Sequence, residues 1–241
     1  MDKDEKQKLI RKMTERFQEL VEPGYRERVG KLFNLRIDRY YGVRVPLIRS
    51  LAREYFAAIQ PFPMEERLAL CSLLLAEDFH ELKITAYQWV EQSKRYLEEK
   101  HLPVLEGWLK TYTYDWSDCD DICTNVLGEF FLKYPSKASR CREWALSKNL
   151  WVRRAAAVSL IKPLRRGNLL SLCLDIADLL LQDSENLVQK GYGWMLKEAS
   201  KARPDEVYAF VTARIGTMPR TAYRYALEKF PHELRVRALA L

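Results

Sequence analysis

Apolar residues return every three to four positions along most of this chain, the period of a helix with one buried face. Between Lys3 and Val21, the residues Leu9, Ile10, Met13, Phe17 and Leu20 fall on one side, and Pro23-Gly24 stops the pattern. Tyr25 to Leu35 reads as a second helix or a pair of turns. The run Tyr40-Tyr41-Gly42-Val43-Arg44-Val45-Pro46 breaks the period. Gly42 permits an unusual backbone angle there, and Pro46 suits the first turn of a helix over 47–59. The spacing predicts further helices over 64–75, 79–92, 96–110 and 122–133. It predicts more over 139–147, 151–161 (ending before Pro163), 169–181, 187–202, 204–215 and 220–230. No alternating run is bounded by a hairpin dipeptide, so no strand pair is expected. The pattern is that of an all-α chain of short antiparallel helices.

The helices also repeat weakly. Leu82-Lys83-Ile84-Thr85-Ala86, Val152-Arg153-Arg154-Ala155-Ala156, Val188-Gln189-Lys190-Gly191-Tyr192 and Pro219-Arg220-Thr221-Ala222-Tyr223 share a register. Each opens the second helix of a pair with a polar or basic residue ahead of small ones. Arg154 and Lys190 are about 36 residues apart, within the range of two-helix solenoid repeats. Residues at one register of a solenoid share one surface, here expected to be the concave one.

Composition sharpens this picture. The 241 residues hold 48% apolar and 30% charged side chains with only 9 Gly, which favours helix over a Gly-rich β fold and excludes disorder. Lys and Arg number 40 against 33 Asp and Glu, a net charge of +7 and a pI near 9.1. If the basic residues gather on the concave face, nucleic acid becomes the expected partner. Five Cys show no disulfide framework, and the charged Met1–Lys12 segment lacks an apolar core, so reduced thiols in a cytoplasmic protein are expected. No apolar run is long enough to span a bilayer.

Candidate chemistry concentrates in Tyr114-Asp115-Trp116-Ser117-Asp118-Cys119-Asp120-Asp121-Ile122-Cys123. Asp115, Ser117 or Asp118 can cap a helix here. Asp120 lies beyond the first turn and shares a face with Trp116. Two readings stand from spacing alone: Asp120 bonds a neighbouring Arg, or it orients a water and stabilises a developing cation. Arg154, ahead of three Ala, either lies on a solvated face, grips a phosphate or holds Asp120. Gly191 and Gly193 flank the turn that carries Trp194 and suggest close approach by another backbone or a ligand. Trp194 itself suits core packing equally well. Cys119 and Cys123 could share a metal, but no further ligands stand at matching spacing, so no metal is expected.

Several blocks, taken in order, resemble a known family. They are Tyr41 to Arg49, Trp116-Ser117-Asp118-Cys119-Asp120, Leu127-Gly128, Trp151 to Ala155, Gln189 to Glu198 and Met218 to Phe230. They look like the successive blocks of the DNA alkylation repair glycosylases of HEAT-like repeat fold, the AlkD-like family. The resemblance implies one domain over 1–241, a right-handed superhelical solenoid of antiparallel HEAT-like helix pairs with a basic concave face. It implies a monofunctional N-glycosylase of base excision repair, releasing N3- or N7-alkylated purines from double-stranded DNA without metal or cofactor. A monomer in the bacterial cytosol or nucleoid, away from membranes, is expected.

By position, Asp120 matches the catalytic carboxylate, Trp116 and Trp194 the aromatics flanking the lesion's nucleotide, and Arg154 the active-site Arg. Arg44, Arg49, Arg153, Lys162, Lys190, Lys197, Arg220 and Arg224 are the expected DNA contacts. The family works from the backbone side rather than reading an extruded base in a deep pocket. Two departures stand out. Asp115 replaces a second Trp, and Phe33 replaces an aromatic that carries a hydroxyl. Asp118 and Asp121 add negative charge close to the DNA, which would weaken phosphate approach unless Arg153 and Arg154 compensate. A non-catalytic HEAT-like module binding DNA structure, or a protein scaffold, is the alternative.

Overall fold

The structure, a computed structural model, describes residues 1–35 and 37–240. Among these, every regular element is helical. The chain divides into two compact units, Met1–Val126 and Leu127–Leu241.

In the first unit, Lys3–Glu19 is closed at its start by a capping box between Asp2 and Glu5 and buries Met13 and Phe17. Tyr25–Phe33 follows and ends on Asn34 in a left-handed conformation. Beyond them the helices form two layers. Val45–Ile59, His80–Gln92 and Trp116–Ile122 pack in succession in one layer; Met64–Ala76 and Leu102–Tyr112 pack in the other. Pro46 sits in the first turn of its helix, as its fixed φ and missing N–H favour. The helix expected over 96–110 starts only at Leu102, because Leu97 and Glu98 are extended and Pro103 sets the first turn. The chain reaches it through two 3₁₀ turns, Lys94–Tyr96 and Glu99–His101.

In the second unit, Leu150–Val158, Asn186–Ala199 and Arg220–Leu227 pack side by side, backed by Cys141–Ala145, Leu170–Leu179 and Pro204–Thr212. These carry three of the four helix openings that share a register in the sequence; the fourth, Leu82–Ala86, lies in His80–Gln92 of the first unit. Two details differ from expectation. Pro163 lies inside a short helical turn, Ile161–Leu164, rather than beyond a helix. A last helix, His232–Leu239, follows the predicted series; it buries Ala238 and exposes Leu234, Val236 and Leu239, so its apolar pattern carries no helical stripe. No helix among the described residues is long and apolar enough to cross a membrane.

Candidate functional site

The acidic stretch opens a helix at Trp116, and Asp115 caps it. The Asp115 carboxylate accepts from the backbone N–H of Ser117 at 2.8 Å and of Asp118 at 3.0 Å, and from the Ser117 hydroxyl at 2.8 Å. Asp118 does not cap. It is buried, 2.8 Å from the Lys83 ammonium and 3.9 Å from His80, and accepts from the Tyr114 N–H. Burial works against its charge, but His80 and Lys83 outweigh that and hold its carboxyl below the ordinary range. Lys83 is itself buried and also pairs with Asp78 at 2.8 Å.

One turn after Trp116, Asp120 emerges on the same wall, and both line an open cavity of about 370 Å³. The Trp116 indole is fixed at both ends: its N–H donates to the Phe33 carbonyl at 3.3 Å, and its ring meets the Phe33 ring edge-on at 6.1 Å. Tyr25, Val29 and Phe33 of the second helix line the cavity, as do Ile84 and Tyr40, whose ring stacks on that of His80 at 4.1 Å. Asp121 also borders the cavity. Burial pushes its carboxyl up to about 6, against the pull of His80, Arg49 and the hydrogen bond from Asn125. Its Oδ2 has no hydrogen-bond partner among the described residues. Past Asp120 the backbone widens into a π-type turn, Cys123–Leu127, a local irregularity of a kind that often marks functional sites. Cys119 and Cys123 face each other at 4.0 Å, both fully buried.

The Tyr41–Arg49 block is held by a residue that sequence reading missed. The fully buried Glu81 accepts from the N–H groups of Tyr41, Gly42 and Val43 at 3.1, 2.9 and 3.1 Å. Gly42 has φ of +105°, which lets three successive N–H groups converge on one carboxylate. Arg49 consequently lines the cavity, 3.9 Å from Asp121. Arg44 remains at the surface, paired with Glu22 and lying over the Tyr25 ring.

In the second unit Arg154 is buried and donates to the Leu187 carbonyl. The two glycines serve different neighbours. A Cβ on Gly191 would meet Arg154 Cγ at 3.1 Å, so this glycine makes room for the arginine. One on Gly193 would meet Tyr225 Cβ at 2.7 Å and the Ala222 carbonyl at 2.9 Å, so this one admits the next helix. Trp194 is half-buried, and its indole N–H donates to Glu198 at 3.3 Å. Glu198 is buried between Arg165 at 2.8 Å and Lys201 at 2.6 Å. Burial opposes its charge, but these two cations bring its carboxyl down to about 2.

The expected DNA contacts divide into two groups. Lys162 pairs with Glu129 at 2.5 Å and Lys197 with Glu228 at 2.9 Å. Lys190, Arg220 and Arg224 carry no ion pair among the described residues, and both arginines are exposed. Arg153 forms a two-point bridge to Asp183, at 2.6 and 3.3 Å, and donates to the Ser147 and Lys148 carbonyls. Within the first unit, Lys83 and His80 offset the charge of Asp118, and burial offsets that of Asp121 by favouring its neutral form. The first unit thus brings Trp116, Asp120 and Arg49 to one cavity. Arg154, Trp194 and Lys190 belong to the second.

Residues 13–230 match the profile of a family described as DNA alkylation repair enzyme. Among solved structures, a predicted DNA alkylation repair enzyme from Enterococcus faecalis is similar, with a TM-score of 0.77 at 14% identity, covering 88% of this chain and 97% of that one. The smu.31 protein from Streptococcus mutans UA159 is similar with a TM-score of 0.57 at 20% identity, covering 86% of this chain and 97% of that one. No curated protein matches the chain. At these identities the two structures bear on the fold alone.

Proposed function

The chain belongs to the DNA alkylation repair enzyme family, and on that premise we propose that it is a monofunctional DNA N-glycosylase hydrolysing the bond between deoxyribose and an N3- or N7-alkylated purine. One observation carries the reading: of the acids crowded into the Trp116 helix, Asp120 lines an open cavity with Trp116, while Asp115 caps the helix, Asp118 pairs with Lys83, and Asp121, which also borders the cavity, is drawn toward its neutral form by burial.

Alkylation at N3 or N7 places a positive charge on the purine and makes it a good leaving group, so the reaction needs no general acid. The C1′–N bond breaks with its electron pair passing to the ring, which discharges the purine. The sugar becomes oxocarbenium-like, as in other glycoside cleavage. The Asp120 carboxylate stabilises that cation and orients a water. The water oxygen bonds C1′, and its proton passes to Asp120 and on to solvent. Trp116 supplies an apolar wall against the sugar. Arg154 and Trp194 are assigned to the same nucleotide on the strength of the family blocks.

The right-handed superhelix, its basic concave face, the single functional domain and the duplex substrate are parts of this proposal. Lys190, Arg220 and Arg224 are the first candidates for phosphate contacts, since they carry no ion pair among the described residues. Arg44, Lys162, Lys197 and Arg153 would exchange a carboxylate partner for a phosphate. Arg49 faces the nucleotide from the cavity rim. The test is base release from methylated duplex DNA. Wild-type protein should release 3-methyladenine or 7-methylguanine, and Arg154→Ala and Trp194→Ala should slow release. Binding to undamaged or branched DNA with a steep salt dependence and no release would instead favour a non-catalytic module.

A further inference from the structure

The indole of Trp194 is half-buried, so packing alone does not fix its plane. A polar anchor lies one turn further along the same helix, Asn186–Ala199. Glu198 stands four residues after Trp194, the spacing that brings two side chains to one helix face. The two oxygens of its carboxylate have different partners. Oε2 accepts from the Arg165 Nε–H at 2.8 Å and from the Lys201 ammonium at 2.6 Å, while Oε1 accepts from the indole N–H at 3.3 Å. Arg165 follows the short helix Ile161–Leu164, which packs on Asn186–Ala199, and Lys201 lies just beyond the end of the latter. The carboxylate is therefore pinned from two elements. A rotamer of Glu198 that turned Oε1 away from the indole would break charge-assisted bonds at Oε2.

We propose that Glu198 is a positioning residue for base release: held by Arg165 and Lys201, it sets the plane in which the Trp194 indole meets the damaged nucleotide. The proposal rests on the glycosylase reading, which assigns Trp194 to that nucleotide. Glu198 is buried, so it acts through the indole rather than on the substrate. An aromatic wall serves a transition state only while its own rotamer is locked by the groups behind it. The indole N–H is the polar handle by which a tryptophan can be locked without hiding its ring face. Here the lock is a carboxylate whose own freedom has been removed by two cations, so the charge of Glu198 serves the geometry of a neutral ring.

The test is a double-mutant cycle on single-turnover base release from methylated duplex DNA, with protein in excess. Glu198→Leu should slow release by about tenfold, since a small misplacement at a reacting centre is costly, and leave affinity for undamaged duplex unchanged. Trp194→Phe removes the indole N–H, and adding Glu198→Leu to it should slow release no further. Arg165→Met repeats the cycle at a half-exposed side chain outside the core; it should slow release by about threefold with Trp194 present and not at all with phenylalanine there. A second readout needs no DNA. With the six Trp labelled as 5-fluorotryptophan, the ¹⁹F line that Trp194→Phe removes should shift in Glu198→Leu while the other Trp lines stay in place. Release by a folded Glu198→Leu protein at the wild-type rate, or an equal loss in both backgrounds, overturns the proposal and leaves the glycosylase reading intact. No release by the wild type sinks the glycosylase reading and the kinetic role of Glu198 with it. An unmoved Trp194 line overturns the positioning of the indole whether or not the chain is active.

Discussion

Gly191 and Gly193 look alike in the sequence, and their surroundings predict opposite responses to the same substitution. An alanine Cβ at 193 would lie 2.7 Å from Tyr225 Cβ, 2.9 Å from the Ala222 carbonyl and 3.1 Å from Ala222 Cα. Carbon contacts are at rest near 3.5–4.0 Å, so the Arg220–Leu227 helix must back away by roughly 1 Å. Overpacking of this kind costs about 1–3 kcal/mol, and the helix propensity gained by alanine offsets about 1 kcal/mol of it. Because two of the three clashing atoms are backbone, relief by a rotamer change is closed, and Gly193→Ala should destabilise the chain by up to about 2 kcal/mol. At 191 the tightest contact is Arg154 Cγ at 3.1 Å, part of a flexible side chain. Gly191→Ala should therefore be neutral or stabilising by up to about 1 kcal/mol. Its damage should appear in base release, because the arginine is displaced from the Leu187 carbonyl. Urea unfolding of both variants at matched m-values checks this. A Gly193→Ala protein as stable as wild type, or a Gly191→Ala protein less stable than Gly193→Ala, would refute the packing argument.

Three further outcomes follow from the ionic groups. Asp121 is an acid raised in the folded state from 3.8 to about 6, so it contributes stability below pH ~3.8 that is lost as pH rises through ~6. Asp121→Asn should stabilise the chain by up to about 3 kcal/mol at pH 8 and by little at pH 4; a gain independent of pH in urea titrations would contradict this. Lys83→Met leaves the buried Asp118 with His80 alone and should cost about 3 kcal/mol at pH 7, read as a fall in the urea midpoint; an unchanged midpoint would remove the ion pair from the account. Glu198 is lowered from 4.5 to about 2, so its stabilisation is present above pH ~4.5 and lost as pH falls through ~2. Glu198→Leu should flatten that acid limb and loosen the Trp194 indole, measured by fluorescence anisotropy in a chain that keeps Trp194 as its sole reporter.

Local chemistry made much of this legible. Pro46, Gly42 and the Pro23-Gly24 stop act through their own backbone limits, so their roles appear in the sequence. Trp116 and Asp120 share a wall because one helical turn separates them. What stayed hidden is long-range pairing. Glu81 gives no sign that its carboxylate collects three N–H groups some 38–40 residues earlier in the chain. Lys83 and Asp118 lie 35 residues apart, so Asp118 read as a second cap when it is half of a buried ion pair. The repeat register linked the openings of Leu150–Val158, Asn186–Ala199 and Arg220–Leu227, three helices that pack side by side. It gave no warning that Arg153 turns to Asp183. The helix at His232–Leu239 was missed because a single buried residue leaves no apolar period to read.

The account stands on Asp120 acting on a sugar cation, and the most direct measurement is base release from methylated duplex DNA by the wild-type chain and by Asp120→Asn. Removing one charged group from a preorganised site is expected to slow release by about 100-fold or more. Wild-type release of 3-methyladenine or 7-methylguanine, that loss in the variant, and unchanged affinity for the duplex are the predicted result. No release by the wild type at any salt concentration, or release by Asp120→Asn at the wild-type rate, would contradict it.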